Sequence, residues 1–199
     1  LSISKSLALN IDNLNTNSGV ISLMYHRFNE NKYPSTNIKK DVFIEHLEEA
    51  NKIGLEFITY KKFKKILKDG IEKNYLFLTI DDAFKSFYIN AWPILKSRKI
   101  PFILFVNTRE IGSYGYMTWK QIREVSENDF VTIGNHSHSH DYLIDWENKK
   151  IKLDLQTAIK KFKSELGYSP DIFSYPFGEY SSDLKKIVSD FNFKFAFGQ

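Results

Sequence analysis

The 199-residue chain contains no cysteine. That absence rules out thiolate metal sites and disulfides, and it leaves the redox compartment open. No run of eighteen apolar residues occurs, so no segment reads as a membrane-spanning helix. Internal repeats and low-complexity tracts are also missing. Charge of one sign does not dominate: the formal net charge is +4. The lysines stand in short groups (Lys61-Lys62, Lys64-Lys65, Lys160-Lys161) that alternate with apolar residues at helical spacing. Such groups are the solvated faces of helices, which argues against a nucleic-acid partner. A weak attraction to an acidic polymer or surface stays open.

What is present points to a folded globule. Hydrophobic residues make up 42% of the chain and aromatics 16%, and 199 residues suffice for one domain with a real core. The first residue is Leu1, and residues 1–18 read either as a lead-in or as the remnant of a trimmed secretion signal. Residues 19–199 form the expected domain.

Short β-type runs alternate with amphipathic stretches along that domain. The runs are Val20–Tyr25, Glu56–Thr59, Tyr75–Ile80, Pro101–Val106, Phe130–Ile133, Asp171–Tyr175 and Phe193–Phe197. Between them, Phe43, Leu47 and Ala50 keep helical spacing up to Gly54, and Phe63, Ile66 and Leu67 do so before Gly70. An apolar face over Phe84, Phe87, Tyr88, Ala91, Trp92 and Leu95 carries Pro93, which should kink or end that helix. Thr118 with Gln121 reads as a capping box. The longest stripe, Ile151 through Leu166, closes at Gly167 and Pro170. Apolar strands alternating with helices predict an α/β fold with a parallel sheet, and seven of them suit a barrel.

Barrel chemistry sits at the C-terminal ends of strands, and three candidate clusters fall there: Asp81-Asp82, Asn135 to His140, and Pro176-Phe177-Gly178. Three of the five histidines lie within five residues. His136 and His140 stand four apart, so both rings can meet one ion, and a carboxylate completes the usual ligand set of zinc and its neighbours. With Asp82, His136 and His140 as ligands, open positions remain for water and a substrate carbonyl. Asp81 is then the natural base, and the reaction class is metal-assisted hydrolysis of an amide or ester. His138 is expected to be non-ligating, and His46 to lie on an exposed helical face. Tyr114, Tyr116, Trp119, Tyr142, Trp146, Phe177 and Tyr180 gather in nearby loops, where sugar rings could stack on them.

Three motifs occur in order: Thr79-Ile80-Asp81-Asp82, Gly134-Asn135-His136-Ser137-His138-Ser139-His140, and Tyr175-Pro176-Phe177-Gly178. They resemble consecutive motifs of the polysaccharide deacetylases, the NodB-homology group or carbohydrate esterase family four. Tyr116-Met117-Thr118-Trp119 and the opening Leu23-Met24-Tyr25-His26-Arg27 are similar too, the latter to the branch that deacetylates poly-N-acetylglucosamine. The resemblance implies a deformed (β/α) barrel of the NodB type that removes N-acetyl groups from an N-acetylated polysaccharide in the periplasm, outside the cell or at its envelope. It implies one divalent metal, zinc first, with cobalt, nickel, iron or manganese as substitutes. Under it Asp81 is the base and Asp82, His136 and His140 hold the ion. Ser137 supports the second motif. Tyr175, Pro176, Phe177 and Gly178 face the substrate, the Phe177 N–H stabilising an oxyanion.

The chain departs from the pattern at several places. Ala83 stands where the first motif usually continues with glycine. Ser174 occupies the place of an arginine that pairs with the base, and Arg27, beside His26, is the expected replacement. The tryptophan motif and the leucine–histidine motif that carries the general acid do not follow, so the domain is expected to be C-terminally incomplete. Two other readings compete: a glycan-binding domain of the same fold with impaired catalysis, and a metal-dependent phosphoesterase.

Overall fold

The computed structural model describes residues 18–198, and the expected lead-in lies, but for Ser18, outside the described residues. Among the described residues there are nine strands: β1 Val20–Tyr25, β2 Arg27–Phe28, β3 Asn37–Ile38, β4 Glu56–Phe57, β5 Tyr75–Ile80, β6 Phe102–Val106, β7 Val131–Asn135, β8 Ile172–Ser174 and β9 Phe195–Phe197. Seven of them form one sheet in the order β1-β5-β6-β7-β8-β9, with β4 added on β5. Every pairing in it is parallel. Parallel strands need crossovers, and helices supply them. They are α1 Lys40–Lys52, α2 Tyr60–Asp69, α3 Trp92–Arg98, α4 Trp119–Ser126, α5 Asn148–Leu166 and α6 Ser182–Asp190. The result is the curled sheet of a deformed (β/α) barrel, as the alternation predicts.

The strands read as continuous apolar runs because both faces are covered. All six residues of β5 and all five of β6 are buried. A parallel sheet wrapped by helices requires this. Around it Phe28, Phe43, Phe87, Phe102 and Phe162 are fully buried in the largest core cluster. α4 starts at the expected capping box: the Thr118 hydroxyl accepts from the Gln121 N–H, and the Gln121 side chain accepts from the Thr118 N–H. α5 ends at Gly167 with φ 80°, a left-handed stop suited to glycine.

Two elements differ from expectation. Pro93 does not end the helical run, which continues through Arg98 but departs from α winding just before the proline. Residues Phe87–Ala91 wind as a π-helical turn, and α3 begins at Trp92 with the proline in its first turn. There the missing N–H is no loss. α6 has no counterpart in the expected helices. Its residues Leu184, Ile187 and Val188 make a stripe too short for periodicity to single out, and tertiary packing against Leu155, Phe173 and Tyr175 fixes it.

Candidate active site

The two carboxylates leave the barrel at the end of β5. Asp81 is tied to β1 through its N–H, which donates to the Tyr25 carbonyl at 2.8 Å. Asp82 and Ala83 then adopt φ 71° and φ 52°. Left-handed backbone is costly for residues with a Cβ. The turn is held by two further main-chain bonds, Met117 N–H to the Ala83 carbonyl and Lys85 N–H to the Gly115 carbonyl. The reversal aims both carboxylates into the barrel mouth, where Asp81 and Asp82 are buried.

The histidines leave β7, two strands further along the sheet. The Asn135 side chain accepts from the Ser137 N–H, and the Ser137 hydroxyl accepts from the His140 N–H at 3.0 Å. These local bonds turn the loop so that His136 and His140 pack edge to face, 4.7 Å between ring centroids. The His138 ring turns away, its Nδ1 bonded to the Thr108 hydroxyl at 2.8 Å.

Donor atoms of Asp82, His136 and His140 all lie within 4.8 Å of one another. His140 Nε2 is 3.1 Å and His136 Nε2 is 3.7 Å from Asp82 Oδ1. Tetrahedral donors about 2.1 Å from a zinc ion sit about 3.4 Å apart, so the observed spacing fits. Tautomer chemistry fits as well. His136 Nδ1 donates to the Ser174 carbonyl at 2.8 Å, which leaves the Nε2 lone pair facing Asp82. Burial lowers the His136 pKa to about 4, partly opposed by Asp82, so the ring is neutral and able to ligate at physiological pH.

Asp81 lies 3.8 Å from His136 Nε2 through Oδ2, and the same oxygen accepts from the Ser174 hydroxyl at 3.3 Å. Its Oδ1 is buried and has no hydrogen-bond partner among the described residues. Burial first, and the Asp82 charge second, hold this carboxyl well above the usual range, with the Ser174 bond pulling the other way. A buried carboxylate with one oxygen unpaired, next to a neutral-imidazole donor set, suits a base that accepts a proton from a water.

These groups line a cavity of about 840 Å³ together with His26, His46, Phe177 and Gly178. His26 is largely buried. Its pKa is lowered by burial, raised by Asp82 and lowered by His140, which places it in the field of the donor set. The Tyr175–Gly178 turn packs its Phe177 ring against His140, 4.9 Å between centroids, with Tyr142 on the other side at 5.5 Å. Phe177 has φ 62° and is half exposed. Of the other expected aromatics, Trp119 and Trp146 pack against core clusters.

Arg27 does not orient Asp81. Its guanidinium bonds Glu30 at 2.9 Å and lies between the rings of Tyr33 and Phe84. Ser174, which lacks the reach of an arginine but stands next to Asp81, makes the contact instead. His46 is not exposed either: its Nδ1 pairs with the Tyr25 hydroxyl at 2.8 Å, and it is buried. It sits three residues from Phe43 and four from Ala50, on the apolar stripe, and that position was the available signal. Sequence reading also passed over Asn107, which donates to Asp82 Oδ1 at 3.1 Å from the end of β6. A polar residue just after an apolar strand was the same signal that marked Asp81.

Residues 68–196 match the family model described as polysaccharide deacetylase. The chain is 22% identical over 206 residues to a poly-beta-1,6-N-acetyl-D-glucosamine N-deacetylase of Staphylococcus aureus (strain MSSA476), covering 96% of this chain and 71% of that protein. The structure of IcaB from Ammonifex degensii superimposes with a TM-score of 0.82 at 25% identity, covering 92% of this chain and 84% of that one. The Streptococcus pyogenes deacetylase PplD, solved with acetate, gives 0.79 at 22% identity over 89% of this chain and 83% of that one. With this match over most of its length and the deformed barrel around the motifs, the chain belongs to the polysaccharide deacetylases, hydrolases that act on carbon–nitrogen bonds.

Proposed function

We propose that this chain is a metal-dependent N-deacetylase acting on an N-acetylglucosamine-containing polymer, with β-1,6-linked poly-N-acetylglucosamine as the first substrate to test. The observation that carries the reading is the joining of Asp82, His136 and His140 into one donor set with Asp81 buried beside it. When bound there, a divalent cation, zinc first, acidifies water and polarises the acetyl carbonyl.

The side chains then divide the work. Asp81 takes the proton from the attacking water, as its raised pKa favours. Asn107 fixes the Asp82 carboxylate by donating to its Oδ1. The Phe177 N–H donates to the oxygen of the acetyl carbon as negative charge develops there. The water oxygen bonds to the acyl carbon, the carbon–nitrogen bond breaks, and the leaving nitrogen needs a proton. Among the cavity's imidazoles, two belong to the donor set and His46 is tied to Tyr25. We assign that proton to His26, whose ring lines the same cavity in the field of Asp82 and His140. Phe177, packed at an angle against His140 and Tyr142, offers a half-exposed ring to a sugar. The polymer places the enzyme's work outside the membrane, at the envelope or beyond it. Among the described residues, no helix is long and apolar enough to cross a membrane.

The test is acetate release from N-acetylated β-1,6-linked oligosaccharide with added zinc, cobalt or nickel. Release by the parent and its loss in His26→Ala and Asp81→Asn are expected. No release from protein with metal demonstrably bound overturns the proposal and leaves glycan binding without turnover.

A further inference from the structure

α5 buries Ile151, Leu155, Ala158 and Phe162 along one stripe, and Asp154 is buried among them. A carboxylate on the apolar face of a helix carries a desolvation cost unless strong partners meet it. Here both oxygens are met by main-chain amides. Oδ1 accepts from the His138 N–H at 2.7 Å and Oδ2 from the Ser139 N–H at 3.0 Å. Those two amides lie between His136 and His140.

We propose that Asp154 is the positioning residue for the metal-binding loop. This inference rests on the metal reading above. The loop holds Ser137 at φ 66° and His140 at φ 55°, both left-handed, so it relaxes towards ordinary backbone unless something holds it. The other restraints on it are local bonds and the strand-end residues Thr108 and Arg109, whose N–H groups donate to the Ser137 and His138 carbonyls. Asp154 differs: it reaches in from a separate helix and binds two consecutive amides at once. An ionised carboxylate accepting two N–H bonds is among the strongest such clamps. Asparagine cannot replace it, because its NH2 group would oppose one of the amides. The clamp sets the distance from His140 Nε2 to Asp82, and through it the affinity of the donor set.

Asp154→Asn tests the idea with zinc affinity and the visible spectrum of the cobalt-loaded protein. We expect zinc to bind 10- to 100-fold more weakly, with an altered cobalt spectrum, a lower kcat and an unchanged KM. Zinc affinity within twofold of the parent and an identical cobalt spectrum overturn the proposal. A parent that binds neither ion is a separate result, which removes the metal reading itself and this inference with it. If Asp154→Asn does not fold, hydrogen exchange on the metal-free parent decides. Protection of the His138 and Ser139 amides by 100-fold or more supports the clamp, and exchange at the rate of a free peptide overturns it.

Discussion

β5 and the four residues after it are neighbours in sequence and opposites in physics. Tyr75–Ile80 is six buried residues, all but Thr79 apolar or aromatic, with the Tyr75 to Ile80 backbone paired to β1 throughout. Asp81 to Phe84 is also buried, but it begins with two carboxylates and puts two residues in left-handed backbone. The strand stabilises the fold by ordinary burial. The turn places like charges side by side out of water, with one carboxylate oxygen unpaired. The second stretch is held in place by the first and by bonds from Tyr25, Gly115 and Met117. Stability and chemistry thus divide at a single peptide bond, between Ile80 and Asp81.

The largest break in that comparison is Asp81→Asn. Deacetylation should fall by roughly 10²- to 10⁴-fold, the usual contribution of a general base. Stability of the metal-free protein should move the other way, rising by about 1–3 kcal/mol at pH 8, since the amide removes the charge that burial penalises. The sign with pH follows from the raised pKa. The folded carboxyl holds its proton more tightly than the unfolded one, whose value is near 3.8. The stabilisation it contributes while protonated is therefore lost as pH rises above about 4 through the folded pKa. Urea melts in chelator at pH 5 and pH 8 should show the gap between variant and parent widening with pH. A gap that narrows would sink the idea that Asp81 is strained by burial.

Gly134→Ala attacks the supporting side, on β7, two strands from the turn. Its backbone is ordinary, but an added Cβ would come within 2.3 Å of the Phe105 ring. Phe105 is fully buried and cannot swing out. Overpacking of this kind costs about 1–3 kcal/mol, and the strain falls on the strand that carries His136. Thermal melts should show the loss, and a melting temperature equal to the parent's would mean that the ring has room to shift. Arg27→Ala should cost less, about 1–2 kcal/mol, by removing two ring contacts and one ion pair. Deacetylation should change by less than about threefold, because Arg27 touches Phe84 and not Asp81. A 100-fold loss would return it to the catalytic groups.

Much of this was legible in the sequence. The seven apolar runs mark the seven strands of the main sheet because both faces of a parallel sheet are covered, so hydrophobicity alone reveals them. Asp81-Asp82 and the histidine cluster follow strands directly, and their residue types name the chemistry. What was hidden depends on partners distant in the chain. Ser174 looked like a missing arginine, and only the packing of β8 beside β7 sets its hydroxyl against Asp81. Asp154 sits inside the stripe of α5, where apolar periodicity passes over it. A carboxylate three residues after Ile151 and one before Leu155 could have been flagged, but nothing in the sequence says which amides it would meet.

The smallest expected effect is at Ala83, where the family's first motif usually carries glycine. Three terms compete in Ala83→Gly. Relief of the left-handed backbone at φ 52° favours glycine by about 1–2 kcal/mol. The freer unfolded chain opposes it by about 0.4–1 kcal/mol. Loss of a fully buried methyl opposes it by about 0.8 kcal/mol. The sum lies within about 1 kcal/mol of zero, so alanine is tolerated here because its methyl packs, whatever its backbone costs. Urea melts should therefore leave the midpoint almost unmoved, and deacetylation should be retained. A loss above about 2 kcal/mol would show that the methyl, and not the turn, governs the position. A gain above about 2 kcal/mol would show that the strain after β5 exceeds what the bonds from Met117 and Gly115 offset.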